Sequence, residues 1–255
     1  YVNYKLKVKQ AYDLKLDTEN LESSNFDGLE FPELFFFQPK KIFLLKGDLL
    51  EIQYLHFVDD EIDSDYLDII NTNVYKGISS VKNDSMKVKL RMSKDSYFKK
   101  FQKIHNHISH GDIYEMNFCQ EFYAENINID PLHVYQKLNK ISQPPFATFF
   151  KLEDKYLMSA SPERYIRKEN TTIISQPIKG TAKRTLNVNE DEKLKSELAI
   201  NEKERAENIM IVDLVRNDLS ITAKSGSVNV DKLCGVYSFS NVHQMISTIS
   251  SELEN

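Results

Sequence analysis

Cysteine is scarce in this chain, long apolar runs are absent and neither sign of charge dominates. Each shortage removes a class of function. Cys119 and Cys234 stand alone, in no metal-binding or redox spacing. They read as reduced core thiols of a cytosolic protein. No stretch is long and apolar enough to cross a bilayer, and no signal-peptide pattern opens the sequence. A net charge of −5 gives no electrostatic footing for nucleic acid or an anionic membrane. What is present is a soluble globular composition, 41% hydrophobic and 28% charged over 255 residues, enough for one large core or two small ones.

Strand-like runs cluster into hairpins rather than βαβ repeats, which argues for an α+β fold of antiparallel sheets. Residues 1–10 alternate loosely. A hairpin is expected over 42–57 around Lys46-Gly47-Asp48, a second over 146–159 around Glu153-Asp154, and a third over 165–174 around Glu169-Asn170. Residues 242–249 alternate as a further strand, and 113–123 as a strand with one polar face. The aromatic stretch 31–37 reads as a buried connection. Residues 59–87, apolar only over 75–81, read as a linker or mobile loop.

Helices announce themselves by their caps. Ser93 opens one that Gly111 ends, with Tyr97, Phe98, Phe101, Ile104 and Ile108 inward. Asp130-Pro131 open another, running to Ile141 with Leu132, Tyr135, Leu138 and Ile141 inward. A short helix over 191–200 leads to Asn201, which caps a longer one over 202–219. His105, His107 and His110 scatter around the first helix and read as a solvated face rather than a metal cluster.

Three positions carry candidate chemistry. Glu163 and, sixteen residues later, Lys179 flank the third hairpin, so antiparallel pairing returns an acid and an amine to one end of the ribbon. Gly180 beside the amine lets backbone approach a ligand. A solvated ion pair would look the same. On the helix over 202–219, Met210, Ile211, Leu214 and Val215 fall within about 80° of Glu207 at 100° per residue. That places Glu207 in the apolar arc, with Glu204 on the same face. A carboxylate there is paired with a cation or bound to a metal, and two at i and i+3 suit a hard divalent ion. His243, alone in its strand, reads either as a satisfied sheet histidine or as a pocket residue.

The segments Ser-Ala-Ser-Pro-Glu-Arg (159–164), Pro-Ile-Lys-Gly-Thr (177–181), Glu-Lys-Glu-Arg-Ala-Glu-Asn-Ile-Met-Ile-Val-Asp-Leu-Val-Arg-Asn-Asp (202–218) and Val-His-Gln-Met-Ile-Ser-Thr (242–248) resemble the chorismate-binding enzymes in order and spacing. The stretch Gly-Asp-x-Tyr-x-x-Asn from Gly111 fits as well. The resemblance is specific over 111–254 and thin before 93, so a single domain over 1–255 is expected, with a weakly matching portion 1–92 and a motif-bearing portion 93–255. It implies two large, mostly antiparallel sheets packed face to face with helices outside, here incomplete at both ends. The chain starts without Met, and the family's Gly-x-Pro-Lys motif, carboxylate-binding Arg and further metal-binding Glu are missing from it.

Within that family the lysine at 179 resembles the branch that aminates chorismate at C4. The resemblance implies conversion of chorismate and ammonia to 4-amino-4-deoxychorismate for folate synthesis in the cytoplasm. Lys179 is then the nucleophile, Glu163 the general acid/base, and Gly180 and Thr181 are substrate-binding. Glu207 and Glu204 hold Mg2+, and His243 lines the pocket beside the reacting ring. Ammonia comes from a separate glutaminase subunit, because this chain shows no Gly-x-Cys-x-Gly elbow. Anthranilate synthase component I and isochorismate synthase are the rival readings, with a small residue where Lys179 stands. A rival of another class is a non-catalytic fragment that only folds or binds a partner. Ser220-Ile221 departs from the family's small residue and Arg at that point.

Overall fold

The computed structural model describes residues 7–10, 12–72 and 86–254. Its contacts group the chain into two units, residues 1–78 with 151–155 and residues 79–150 with 156–255.

In the first unit β1 (Lys7–Gln10) pairs antiparallel with β2 (Leu34–Phe37), and α1 (Lys15–Thr18) falls between them in sequence. β3 (Lys41–Lys46) and β4 (Leu49–Tyr54) form the expected hairpin around Gly47 at φ 59°. The expected linker over 59–87 is instead partly helical, as α2 (Ile62–Asn71). Its acidic residues serve the helix. Asp63 and Asp65 lie in the first turn, where the helix dipole favours them. Lys41 Nζ sits 2.5 Å from both Asp65 and Glu61, and the Tyr54 hydroxyl donates to Asp65. Residues 75–81 lie outside the described residues. The aromatic stretch ends in a strand, β2, rather than a buried connection, and Leu34 and Phe36 are exposed.

In the second unit β5 (Lys89–Leu90) pairs with β6 (Phe122–Tyr123). The long strand expected over 113–123 is confined to these last two residues, and 113–121 run without strand pairing. α3 (Lys94–His110) is capped by the Ser93 hydroxyl, which accepts from Ser96 N–H, and ends on Gly111 at φ 80°. α4 (Pro131–Ser142) is capped by Asp130. Their apolar faces are less covered than the periodicity suggests, for Phe98, Phe101, Ile108, Leu132 and Ile141 are exposed. Tyr97 does stack on Phe118, with ring centroids 4.7 Å apart. Cys119 is exposed, contrary to its reading as a core thiol, whereas Cys234 is buried.

The buried clusters of the second unit draw on residues 173–253. β7 (Phe146–Leu152) and β8 (Lys155–Ser161) flank a turn with Glu153 at φ 54°, and β9 (Arg164–Glu169) and β10 (Thr172–Gln176) flank one with Asn170 at φ 54°. β11 (Ile178–Lys183), α5 (Val188–Ile200), α6 (Glu202–Ser220), β12 (Asn229–Ser238) and β13 (Val242–Glu252) follow. β9 to β13 make a five-stranded antiparallel sheet about β13, which pairs β12 on one flank and β11 then β10 on the other.

Alternation along β13 sends His243, Met245, Ser247 and Ile249 toward the helices. Ile249 packs with Ile173, Val212 and Leu219, and Met245 with Leu198 and Cys234. The expected α+β architecture of antiparallel sheets flanked by helices therefore holds. Among the described residues one sheet has five strands and the remaining strands pair two by two.

Ile249 is fully enclosed at the centre of this core. Ile249→Ala should cost about 2–5 kcal/mol through lost burial and a residual cavity. The cost is read as a lower urea midpoint at unchanged slope. A loss below about 0.5 kcal/mol, the level of a surface change, would show that β13 does not anchor the sheet.

Candidate active site

The site is organised by a break in one ladder. β11 pairs with β13 at Ile178↔Ile246 and again at Thr181↔Gln244, with a bulge between. Lys179 and Gly180 occupy the bulge. Gly180 has φ +94°, and a Cβ there would lie 3.1 Å from Glu204 Cβ, 3.2 Å from Glu204 Oε2 and 3.3 Å from Met245 Cβ. Only glycine both adopts that backbone and lets α6 come so near.

At this bulge the structure brings five of the expected residues together, Gly180 among them. The Ile178 N–H donates to Glu163 Oε1 at 3.0 Å, which sets the acid one residue from Lys179. The Lys179 side chain is 34% exposed, with its Nζ 3.8 Å from Glu115 Oε2. Glu204 backs onto Gly180 from α6, where its own N–H donates to the Asn201 side chain that caps the helix. Thr181 sits across from Gln244 in the resumed ladder.

Glu207 is placed differently from its sequence reading. It is 43% exposed, with Lys203 Nζ at 3.6 Å, while the buried positions of α6 are Asn208, Val212 and Leu219. The buried arc is thus turned by about 100° from the one drawn on Glu207. Glu207 flanks the core instead of facing it. It remains one helical turn from Glu204, so the two carboxylates share a side of the helix. Oxygen donors so spaced fit a hard cation that keeps waters and a ligand anion in its shell. Among the described residues no group of three or more His, Cys, Asp or Glu is gathered for a metal.

His243 belongs to another cluster. It is 0% exposed, with Nε2 3.1 Å from Asp191 Oδ1 and Nδ1 2.9 Å from Ser238 Oγ. Asp191 also accepts from Arg184 Nε at 2.9 Å and Thr185 N–H at 2.9 Å, and Arg184 donates to Phe239 O. With both ring nitrogens engaged and no exposed surface, His243 braces the α5 contact. That corrects its reading as a pocket residue and fits the satisfied sheet histidine.

Glu115 and Asn208 are the site residues that sequence reasoning missed. Glu115 also borders a cleft of about 590 Å³ lined by Tyr114, Met210, Leu214 and Val228 among others. Asn208 stands beside Glu207 but is wholly buried, its Nδ2 donating to Lys179 O at 3.4 Å and Met245 O at 3.2 Å. A helical wheel scored on apolar residues passes over it.

The family profile described as chorismate binding enzyme matches residues 9–255. The chain belongs to the chorismate binding enzyme family. Over 162 residues it is 40% identical to aminodeoxychorismate synthase component 1 of Escherichia coli (strain K12), covering 64% of this chain and 36% of the relative. Over 249 residues it is 31% identical to an anthranilate synthase component I-like protein of Synechocystis, covering 96% and 50%. The crystal structure of anthranilate synthase component I from Streptococcus pneumoniae superposes with a TM-score of 0.83 at 21% identity, over 98% of this chain and 57% of that one. The fold is therefore that of the family. The chain spans 36% to 50% of the length of these two sequence relatives.

The Arg184 guanidinium first, and the Thr185 N–H second, hold the Asp191 carboxyl well below its ordinary range, at about 2. A depressed carboxyl contributes stability above its unfolded value and loses it as pH falls through the folded one. Wild-type stability in urea should accordingly drop between about pH 4 and pH 2, and Asp191→Asn should be less stable at neutral pH with a flatter profile over that window. Parallel profiles for the two proteins would mean that Asp191 is not a linked group.

Proposed function

We propose that the chain carries the Lys179 site of an aminodeoxychorismate synthase component 1, converting chorismate and ammonia to 4-amino-4-deoxychorismate. The observation that carries this reading is the bulge at Lys179-Gly180, with Glu163 bonded one residue away and Glu204 against the glycine. A lysine here gives the nucleophile that the anthranilate and isochorismate synthases replace by a small residue. The E. coli relative's name points the same way.

In this mechanism the neutral Lys179 amine attacks C2 of chorismate. Both conjugated ring double bonds shift, C1=C2 to C1=C6 and C5=C6 to C4=C5, and the C4–O bond breaks. Glu163, whose second carboxyl oxygen is free of the Ile178 bond, delivers the proton on which the hydroxyl departs as water. Ammonia then adds at C4, the electrons return, and the C2–N bond breaks to restore the amine. Glu163 accepts the proton that ammonia sheds. Glu204 and Glu207 would hold Mg2+, which supplies charge compensation for the substrate's ring carboxylate. Gly180 and Thr181 line the approach. The same reading takes ammonia from a glutaminase partner subunit and sets the product in folate synthesis in the cytoplasm.

Product analysis in the protein expressed from its complete open reading frame, given chorismate, Mg2+ and ammonium, tests this. The parent should make 4-amino-4-deoxychorismate and carry a Lys179 adduct visible by mass spectrometry. Lys179→Ala should lose C4 amination by about a hundredfold or more, the scale of removing a positioned reacting group, and divert any turnover to C2. A C2 product from the parent itself would favour the anthranilate or isochorismate reading. No turnover under any condition would favour the non-catalytic one.

The metal assignment has its own test. Glu207→Ala should lose Mg2+-dependent turnover while keeping its urea midpoint near the parent's, because a half-exposed carboxylate paired with an exposed Lys203 contributes little to stability. Parental activity at low Mg2+ would make Glu207 a surface ion-pair partner.

A further inference from the structure

Asn208 is among the few fully buried polar side chains of the described residues, and it bonds to both strands at the bulge. Between Ile178 and Thr181 the β11–β13 register is interrupted, and Lys179 O on one strand and Met245 O on the other lie at the gap. A buried carbonyl left unpaired costs on the order of 1–3 kcal/mol. The two protons of the Asn208 amide meet both, at 3.4 Å and 3.2 Å. Its Oδ1 is occupied in turn, by the Ser247 hydroxyl and by Cys234 Sγ at 3.6 Å. Ser247 Oγ also accepts from Cys234 N–H at 2.9 Å, where Cys234 itself stands at φ 52°. Every donor and acceptor of the amide is used, so its orientation is fixed.

We propose that Asn208 is the positioning residue for Lys179: it clamps the lysine's peptide to α6, and so fixes the amine relative to Glu204 and Glu207 on the same helix. A leucine at this position would fill the space but release both carbonyls. The peptide at 179–180, set in the register shift, would then lose its tie to α6. This rests on the reading of Lys179 as the reacting amine. A displacement of about 1 Å at such a group can cost about a hundredfold in rate while substrate binding survives.

The test compares Asn208→Asp, Ser247→Ala, Asp191→Asn and Lys179→Ala with the parent, in protein from the complete open reading frame. Asn208→Asp keeps the volume but turns a donor into an acceptor toward both carbonyls. It should lower kcat about a hundredfold with KM for chorismate within about threefold, and it should speed backbone amide exchange at residues 179–181 ahead of the rest of the sheet. Ser247→Ala, which frees one lone pair of Oδ1 and the Cys234 N–H but leaves both Asn208 donors in place, should show the same kcat-weighted loss in weaker form. It decides the matter if Asn208→Asp does not fold. Asp191→Asn, a buried polar change in the separate Arg184–His243 cluster, should lower stability without moving kcat at a temperature where it stays folded.

Parental kcat in a folded Asn208→Asp, or, where that variant does not fold, in Ser247→Ala, would overturn the assignment. So would amide exchange that rises uniformly over the sheet. Failure of the underlying reading shows separately, as C4 amination that persists in Lys179→Ala.

Discussion

The close approach of α6 to β11 at Gly180 is the constraint on which the second unit depends. A helix normally stands off a sheet by the width of its side chains, about 10 Å between layers. Here Glu204 stands 3.1 Å from where a Cβ would be, closer than van der Waals contact. That approach is open only to a residue without a Cβ, and Gly180 stands in the bulge, where Lys179 O and Met245 O are within reach of α6. Asn208, four residues along the same helix, donates to both carbonyls. The fold thus spends a buried polar network on holding one irregular dipeptide, where a regular strand would have been simpler and more stable. Structure that costs stability and is fully satisfied elsewhere marks the place where the chain does more than fold.

The ion pairs of this unit divide into two kinds. Arg184 and Asp191 meet at 2.9 Å with Asp191 buried, and His243, Thr185 and Phe239 complete the cluster. Breaking one member would strand a charge in the interior. Lys179 meets Glu115 at 3.8 Å with both side chains a third or more exposed, a pair of the class that contributes about 0–1 kcal/mol. The second kind is easily exchanged for a ligand and the first is not. His243 and Lys179 lie on strands paired in one sheet, yet the histidine is locked into support and the lysine is left available. Burial and partner number, not residue type, separate the two roles.

Much of this was legible in the sequence because it rests on local rules. Ser93, Asp130 and Asn201 cap helices where their side chains reach the first free N–H groups, and Gly111 ends one in the left-handed region. Glu163 and Lys179 come together because hairpin pairing returns a strand to its origin, which spacing alone predicts. What failed depends on packing. Residues 113–121 alternate like a strand, but alternation does not supply a neighbour to pair with. Acidic residues at 61–65 look like loop, yet Lys41 and Tyr54 from a distant hairpin make them the start of a helix. Half of the apolar face of α3 stays open, for amphipathicity says which side wants cover and not whether cover is present.

The α6 wheel shows why the error and the finding share an origin. Successive helical residues are turned by 100°, so Glu207 and Asn208 cannot both face the core. A count of apolar neighbours centres the arc on Glu207, since Met210, Ile211, Leu214 and Val215 gather around it. The structure buries Asn208 instead, with Val212 and Leu219 on its side, and leaves Ile209 and Leu214 exposed. The choice follows from hydrogen bonding. An asparagine can be buried at no net loss if all its bonds are met, whereas a carboxylate cannot be buried without a cation. Turning the helix by one residue puts the amide where the bulge needs donors and leaves Glu204 and Glu207 at the margin, where a cation and water can reach them. One rotation of α6 thus satisfies the interior and keeps both carboxylates accessible.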